Sequence, residues 1–527
     1  MSVAHDWFLS AEERGNAATK LDAGPAWSDG SSAIPHVHGA EYFRRLAAEL
    51  RTTGAGDRVV LLDWRGDADE RLDGPGSEIG RLLADAVRRG VDVRGLVWRS
   101  HPDEEKFSEE ENARLAEVVN DAGGEILLDE RVRRFGSHHQ KLVLIRRADG
   151  EDVAFVGGID LCHGRNDDEK HQGDPQAIAM DARYGDTPPW HDIQVELRGP
   201  VLDDLDRSFR ERWEDPTPMD HRNPLRAWIH RIVRQPRRAS PLPPDGPSTS
   251  AVGDISVQVL RTYPPRRPRY PFAPGGERSI ARAYLKAIGR ARSLVYVEDQ
   301  YLWSRAVAGV IADALRRSPD LRVIAVVPRY PDRNGLLSGP MERVGQLEAI
   351  DVVRRAGGDR VAIYDLENED GIPIYLHAKV CIVDDVWMTI GSDNLNLRSW
   401  THDSELTCAL LDARRDDRQP ADPTGRGDGA RVLPRSTRLG LWREHLGEVE
   451  VDDLLDPVRG FAAWQHAAEA LDAWHAAGRP GPRPPGRVRR HDPEPVRWWG
   501  LGWAHGLHRL AVDPDGRPRS MRRSGTF

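Results

Sequence analysis

Cysteine is nearly absent from this 527-residue chain: Cys162, Cys381 and Cys408 are the only three, and they lie far apart. An odd, scattered set supplies neither a disulfide framework nor a Cys-x-x-Cys metal knuckle, which suits a reducing compartment. Long apolar runs are missing too. No stretch approaches the roughly 18 residues of a membrane-spanning helix, and the opening MSVAHDWFLSAEERGN lacks the basic region and apolar run of a secretory leader. The default expectation is a cytoplasmic protein whose membrane contact is peripheral, with export by a dedicated secretion machine as the alternative. Basic blocks are scarce before residue 470 and the formal net charge is -9, a balance that disfavours nucleic acid as partner. No His/Cys cluster has metal-ligand spacing, so neither a metal nor another cofactor is expected.

What is present is the composition of a folded protein, 39% apolar and 30% charged. The length exceeds one hydrophobic core and predicts two domains of roughly 200 to 250 residues plus a tail. An internal repeat supports this division. RVVLLDW (58–64) is answered by SLVYVEDQYLW (293–303), each reading as a buried strand. The helical segment IGRLLADAVRRG (79–90) leads into VDVRGLVW (91–98), as GVIADALRRS (309–318) leads into LRVIAVV (321–327). Helices near 109–122 and 341–356, then EILLD and VAIYDL, continue the parallel. Alternation of this kind predicts an α/β sheet covered on both faces. We read residues 1–240 as the first half, 241–253 (within PRRASPLPPDGPSTSAVG) as a linker, and 254–470 as the second half. Residues 471–527 form an Arg- and Pro-rich segment carrying Trp498, Trp499 and Trp503, expected to pack over the core; a membrane-interface patch is the sharper reading.

Each half reaches a His-x-Lys at the same point of the repeat. The first is His139, Gln140, Lys141, followed by Gly157, Gly158, Ile159 and Asp160; the second is His377, Ala378, Lys379, then Asp384 and Gly391, Ser392, Asp393, Asn394. One such tripeptide is weak, but two copies 238 positions apart in a repeat are not chance. Strand alternation puts His and Lys on one face. There an imidazole can attack phosphorus or protonate a leaving oxygen, while the ammonium neutralises the nonbridging oxygens. The Gly-rich turns Gly157 and Gly158, with Asp160, Ser392 and Asn394, are candidates for holding the phosphate. His138 is matched by Leu376 in the second half and reads as a neighbour of the site.

HAKVCIVDDVWMTIGSDN matches the HxKxxxxD and GSxN signature, so the chain resembles the phospholipase D superfamily over most of its length. GGIDLCHGR, PPWHDIQVELRG, YVEDQYLW and LWREHLG are similar to blocks of the eukaryotic-type enzymes. The resemblance implies two pseudo-symmetric α/β halves, each a mixed sheet flanked by helices, that form one active site at their interface. It implies catalytic roles for His139, Lys141, His377, Lys379 and Asp384, and it nominates Asp192 and Glu405 as carboxylates that each support the histidine of the opposite half. By the same resemblance His139 is the nucleophile and His377 the acid and base. The implied activity is hydrolysis of phosphatidylcholine-like glycerophospholipids at a membrane surface by a monomer, with transphosphatidylation to alcohols. Cardiolipin synthase-like transfer, or nuclease or other phosphodiesterase activity, is the alternative.

The first motif departs from the signature. Arg146 occupies the Asp position, and His139 to Gly157 spans 18 residues where His377 to Gly391 spans 14. The extra four suit a longer hairpin near Asp149 and Gly150, with the role of the missing Asp either taken by Asp149 or Asp152 or absent from this half. A loop over about 163–188 is also peculiar to this half, and Asn166 there replaces the family's usual Trp, a change expected to alter pocket shape.

Overall fold

Apolar strands alternating with one-sided helices bury their surface when the strands lie side by side with helices on both faces. The computed structural model describes residues 3–19, 21, 26–99, 109–148, 150–219, 238–244, 246, 248–332, 338–447, 449–493, 506 and 508–527. All but two of its strands form one 16-stranded mixed sheet, in which the short Glu277–Arg278 pairs off the main path with Ile255–Tyr263. From one edge, the order begins Val488–Arg490, Val361–Leu366, Arg322–Val326, Leu294–Asp299, Lys379–Val383, Trp387–Gly391, Glu405–Asp412, Ile255–Tyr263. It continues Ser28–Val37, Ile193–Arg198, Val153–Gly157, Leu142–Arg146, Arg58–Asp63, Asp92–Trp98, Glu125–Asp129. Counted outward from the central pair, the two series correspond strand for strand until Val488–Arg490, which extends one edge only.

Within each half the three outer repeat strands are parallel and the rest antiparallel. Parallel neighbours need crossovers. The helices Ile79–Arg88 and Glu109–Asp121 supply them in one half, Arg305–Arg317 and Ser338–Gly357 in the other. On one face of the sheet a single apolar cluster takes residues from both halves, including Leu62, Leu144, Ile382 and Leu410, and closes over Trp442 and Trp464. On the opposite face each half keeps its own cluster.

Two strands differ from the sequence reading in a way that matters. Ser28–Val37 (SDGSSAIPHV) is polar, carries a proline and is only partly buried, so it has no strand-like apolar pattern; tertiary pairing makes it one. It pairs with Ile255–Tyr263 and fuses the halves edge to edge. The strand expected over 293–303 stops at Asp299, whose carboxylate accepts the N–H groups of Tyr301 (2.7 Å) and Leu395 (2.9 Å) and turns the chain toward the site.

Described residues of the 241–253 segment lie against the first half: Arg210 Nη1 donates to Pro243 O at 2.7 Å and Thr249 Oγ1 to Asp203 at 2.9 Å. Near the C-terminus, the helix Pro457–Ala476 starts with Asp456 capping Val458 and Arg459 and crosses position 470. Beyond it Val488–Arg490 joins the sheet, and Asp513 accepts the N–H of Arg398 at 3.0 Å. Trp498, Trp499 and Trp503 lie outside the described residues. Among the described residues no helix is long and apolar enough to cross a membrane.

Candidate active site

Each His-x-Lys motif enters its strand after zipping onto the other half. Tyr375–Leu376 pairs in parallel with Trp190–His191, and His377 N donates to His191 O at 2.8 Å. His138 bridges Ser404 likewise, and His139 N donates to Ser404 O at 2.9 Å. The side chains cross the same way. His139 Nδ1 donates to Glu405 Oε2 at 2.9 Å, and His377 Nδ1 donates to Asp192 Oδ2 at 2.6 Å. With Nδ1 committed, each ring presents Nε2 as its free nitrogen. Both histidines line one cavity of about 260 Å³.

Both lysines are buried beside their histidines. Lys141 Nζ lies 2.9 Å from Asp160 Oδ1 and 3.2 Å from His139 O, while Lys379 Nζ donates to His377 O and, at 3.4 Å, to Gln300. Burial lowers the Lys379 pKa to about 8, against the pull of Asp192 and Asp299. Burial, then the adjacent lysine, holds each imidazole well below its usual value; Lys141 acts on His139 and Lys379, then Arg165, on His377. The two carboxyls are not equivalent. Burial raises Asp192 to about 6, with Lys379 opposing, whereas burial and the charge of Asp403 push Glu405 well above the carboxylate range, with Ser392 opposing.

Several residues nominated from sequence do other work. Asp384 does not line the cavity. It sits past the far end of its strand at φ 54°, where its carboxylate accepts the N–H groups of Arg292 (2.9 Å), Ser293 (2.8 Å) and Leu294 (2.9 Å). Its catalytic assignment is therefore corrected: it fastens the start of the Leu294–Asp299 strand. The first half reverses this connection. Asp57 reaches from the strand start to accept Ala148 N at 2.9 Å, and Arg146 pairs with Asp152 and Asp203, both at 2.8 Å. Asp152 also accepts Arg147 N at 2.7 Å and so holds the hairpin, while Asp149 lies outside the described residues.

The phosphate-holding assignments of Gly157, Gly158 and Ser392 are corrected as well. Gly158 N is spent on Ile193 O (3.1 Å), and a Cβ there would fall 2.2 Å from Asp192 Oδ1, so the glycine makes room for the carboxylate. Gly157 packs on Gln194 with a Cβ clearance of 2.4 Å. Ser392 Oγ donates to Glu405 Oε2 at 2.5 Å and is fully buried. Asp160 lines the cavity, but as the anionic partner of Lys141 it repels phosphate. Asn394 does face the cavity, with its side-chain oxygen unpaired. Asn166 does not; it donates to Arg71 O at 2.7 Å, and Ile178, Ala179 and Met180 of the same long loop line the cavity instead.

The aromatic walls of the cavity and one cation carry no signal of their own in the sequence. Trp190 stacks on Tyr375 (4.9 Å between centroids) and packs tilted against His377 (4.9 Å); Trp64 meets His139 edge-on at 6.3 Å. The buried Arg165 guanidinium lies 3.7 Å over the Trp190 ring and faces the cavity. Trp190 and Arg165 stand inside the blocks PPWHDIQVELRG and GGIDLCHGR, whose resemblance marks the stretches but not these side chains. A further group without sequence signal is a cluster of His38, His171, His191 and Glu444, whose donor atoms lie within 4.8 Å of one another. Its members come from four distant segments, so no spacing along the sequence announces it.

A family model described as phospholipase D matches residues 68–262 and 360–476, and one described as cardiolipin synthase, PLD-like domain, matches residues 284–417. The chain is 27% identical over 513 residues to phospholipase D alpha 1 of Arabidopsis thaliana and 25% over 524 residues to that of Ricinus communis. Each match covers 74% of this chain and 61% of the relative, so the chain spans about three fifths of the length of these curated relatives. Among solved structures, phosphatidylserine synthase of Haemophilus influenzae is similar over 72% of this chain and 82% of its own, with 14% identity and a TM-score of 0.49.

Proposed function

Because this chain belongs to the phospholipase D family, we propose that it hydrolyses glycerophospholipids of the phosphatidylcholine kind to phosphatidic acid and a free head group. The carrying observation is the pair of crossed histidine–carboxylate bonds that bring His139 and His377 to one cavity. The neutral His139 Nε2 attacks phosphorus, a P–N bond forms, and the P–O bond to the head-group alcohol breaks. His377 donates its proton to the departing oxygen. It then takes a proton from water, which attacks phosphorus and releases His139.

His377 needs a proton for the first step although the resting site depresses its pKa. Burial and then the neighbouring cations cause this depression; the phosphate anion, entering between Lys141 and Lys379, offsets the cations, and Asp192 stabilises the imidazolium. A carboxyl at about 6 is ionised at neutral pH, so Asp192 suits the ring that shuttles protons. Asn394 and Arg165 are the groups left to hold the nonbridging oxygens. The aromatic walls and the Ile178–Met180 stretch suit a glycerol ester more than a polyanion.

The membrane is approached through the rim. Phe135 and Leu510 are 58% and 72% exposed, and their segments meet at Arg398, which donates to Phe135 O and Val512 O. Transfer of the phosphatidyl group to an alcohol in place of water is the second reading, favoured by the cardiolipin synthase-type match over the second half. Choline release from phosphatidylcholine vesicles, measured with and without a primary alcohol and beside a nuclease assay, tests the proposal. Choline release that His139→Ala and His377→Ala abolish is expected; nuclease activity without choline release would overturn it.

A further inference from the structure

The strip Trp190–His191–Asp192 carries two of the groups that hold His377, yet its middle residue points elsewhere: His191 does not line the cavity. It meets His38, just ahead of the helix Gly39–Arg51, His171 from the long first-half loop, and Glu444 from the helix Val432–Leu446 of the second half. We propose that His38, His171, His191 and Glu444 form a closed, four-ligand site for a divalent transition metal of the zinc class.

Spacing is the first argument. Glu444 Oε2 lies 3.0 Å from His38 Nε2, and Oε1 lies 3.1 Å from His171 Nε2 and 3.5 Å from His191 Nδ1. A tetrahedron with metal–ligand bonds of about 2.0–2.1 Å has edges of about 3.3 Å, which the two distances to Oε1 bracket, and all four donors lie within 4.8 Å of one another. Donor identity is the second. Three imidazoles and a carboxylate are the borderline set that zinc-class ions select, and the histidines are at most 6% exposed.

Proton placement is the third argument. His171 Nδ1 donates to Trp190 O at 3.1 Å, and His191 Nε2 donates to Glu298 Oε2 at 2.8 Å; Glu298 is itself fixed by His445 at 2.8 Å. Those bonds are the kind that orient metal-bound histidines through the outer nitrogen. They leave His171 Nε2 and His191 Nδ1 turned toward the Glu444 carboxylate, the two nitrogens that a central cation would take in place of a second ring proton. His191 Nδ1 is buried and has no hydrogen-bond partner. Four protein ligands leave no open position, so the ion is structural. It clamps the strip behind His377, the long loop and the opposite half together.

Full-length protein, purified without a polyhistidine tag and dialysed into metal-free buffer, should retain about one equivalent of zinc by elemental analysis. Glu444→Gln and His171→Gln should each reduce this to near zero. Cobalt-exchanged wild type should show the visible bands of four-coordinate Co(II), and zinc returned to chelator-stripped wild type should raise Tm. The wild-type measurements keep the test decisive if a variant does not fold. Wild type that holds only trace metal, gives no cobalt bands and has a Tm indifferent to chelator and zinc would overturn the proposal in favour of protonated histidines. Zinc retained by both variants would overturn it too.

Discussion

At the residue scale, the two histidines are chemically unequal because their carboxylates are. Asp192 has a pKa raised to about 6, so its anion, and with it the support of His377, is lost as pH falls through that value. Lys379 is lowered to about 8, so its ammonium is lost as pH rises through that value. The predicted kcat/KM profile is a bell with limbs near 6 and 8. Asp192→Asn keeps an acceptor for Nδ1 but removes the titrating charge. It should erase the acid limb and lower the plateau by about 10²- to 10⁴-fold. An acid limb unchanged in the variant contradicts the assignment.

At this scale the sequence was informative where identity and duplication coincide. His139, Lys141, His377 and Lys379 could be picked out because two copies of one tripeptide sat at matching positions. Asp192 and Glu405 came from resemblance, and both reach their histidines. Asp384 misled because a signature records constancy, not location. It is five residues past Lys379, about 17 Å along an extended chain, which is too far to reach the same phosphate.

At the scale of elements, what holds a strand is separable from what reacts. Asp384→Ala would take the acceptor from three N–H groups at the start of Leu294–Asp299, the Leu294 one buried and the Arg292 and Ser293 ones partly so. It should cost about 1–3 kcal/mol or more by denaturant unfolding, since each unmet group forfeits a hydrogen bond. The folded fraction should keep kcat/KM within about threefold, because general acid or base residues are worth about 10²-fold or more. A hundredfold loss in folded protein would return Asp384 to the chemistry. The first half shows why Asp is dispensable there: Arg146 with Asp152 and Asp203, and Asp57 beneath the hairpin, fasten the same corner by other bonds. That compensation was illegible in sequence because Asp57, Asp203 and Arg146 belong to separate segments.

At the scale of the whole molecule, the repeat was legible and the joint was not. Period and pattern located the strand–helix–strand units, whereas the polar strand Ser28–Val37 carried no such pattern and is ordered by the neighbours it joins. One sheet and one shared apolar face predict that the halves melt together. Calorimetry should show a single cooperative transition; two resolved transitions would contradict the continuity of the core.

The same joint is what makes one site from two motifs, so the most direct test is to catch both at work. Wild type mixed with a phosphatidylcholine carrying a labelled phosphate, acid- or base-quenched during turnover and mapped by mass spectrometry, should carry a phosphatidyl adduct on His139 Nε2. Asp192→Asn, with its proton shuttle impaired, should turn over slowly but be modified at the same ring. Turnover without an adduct, or an adduct on His377 in place of His139, would contradict the account.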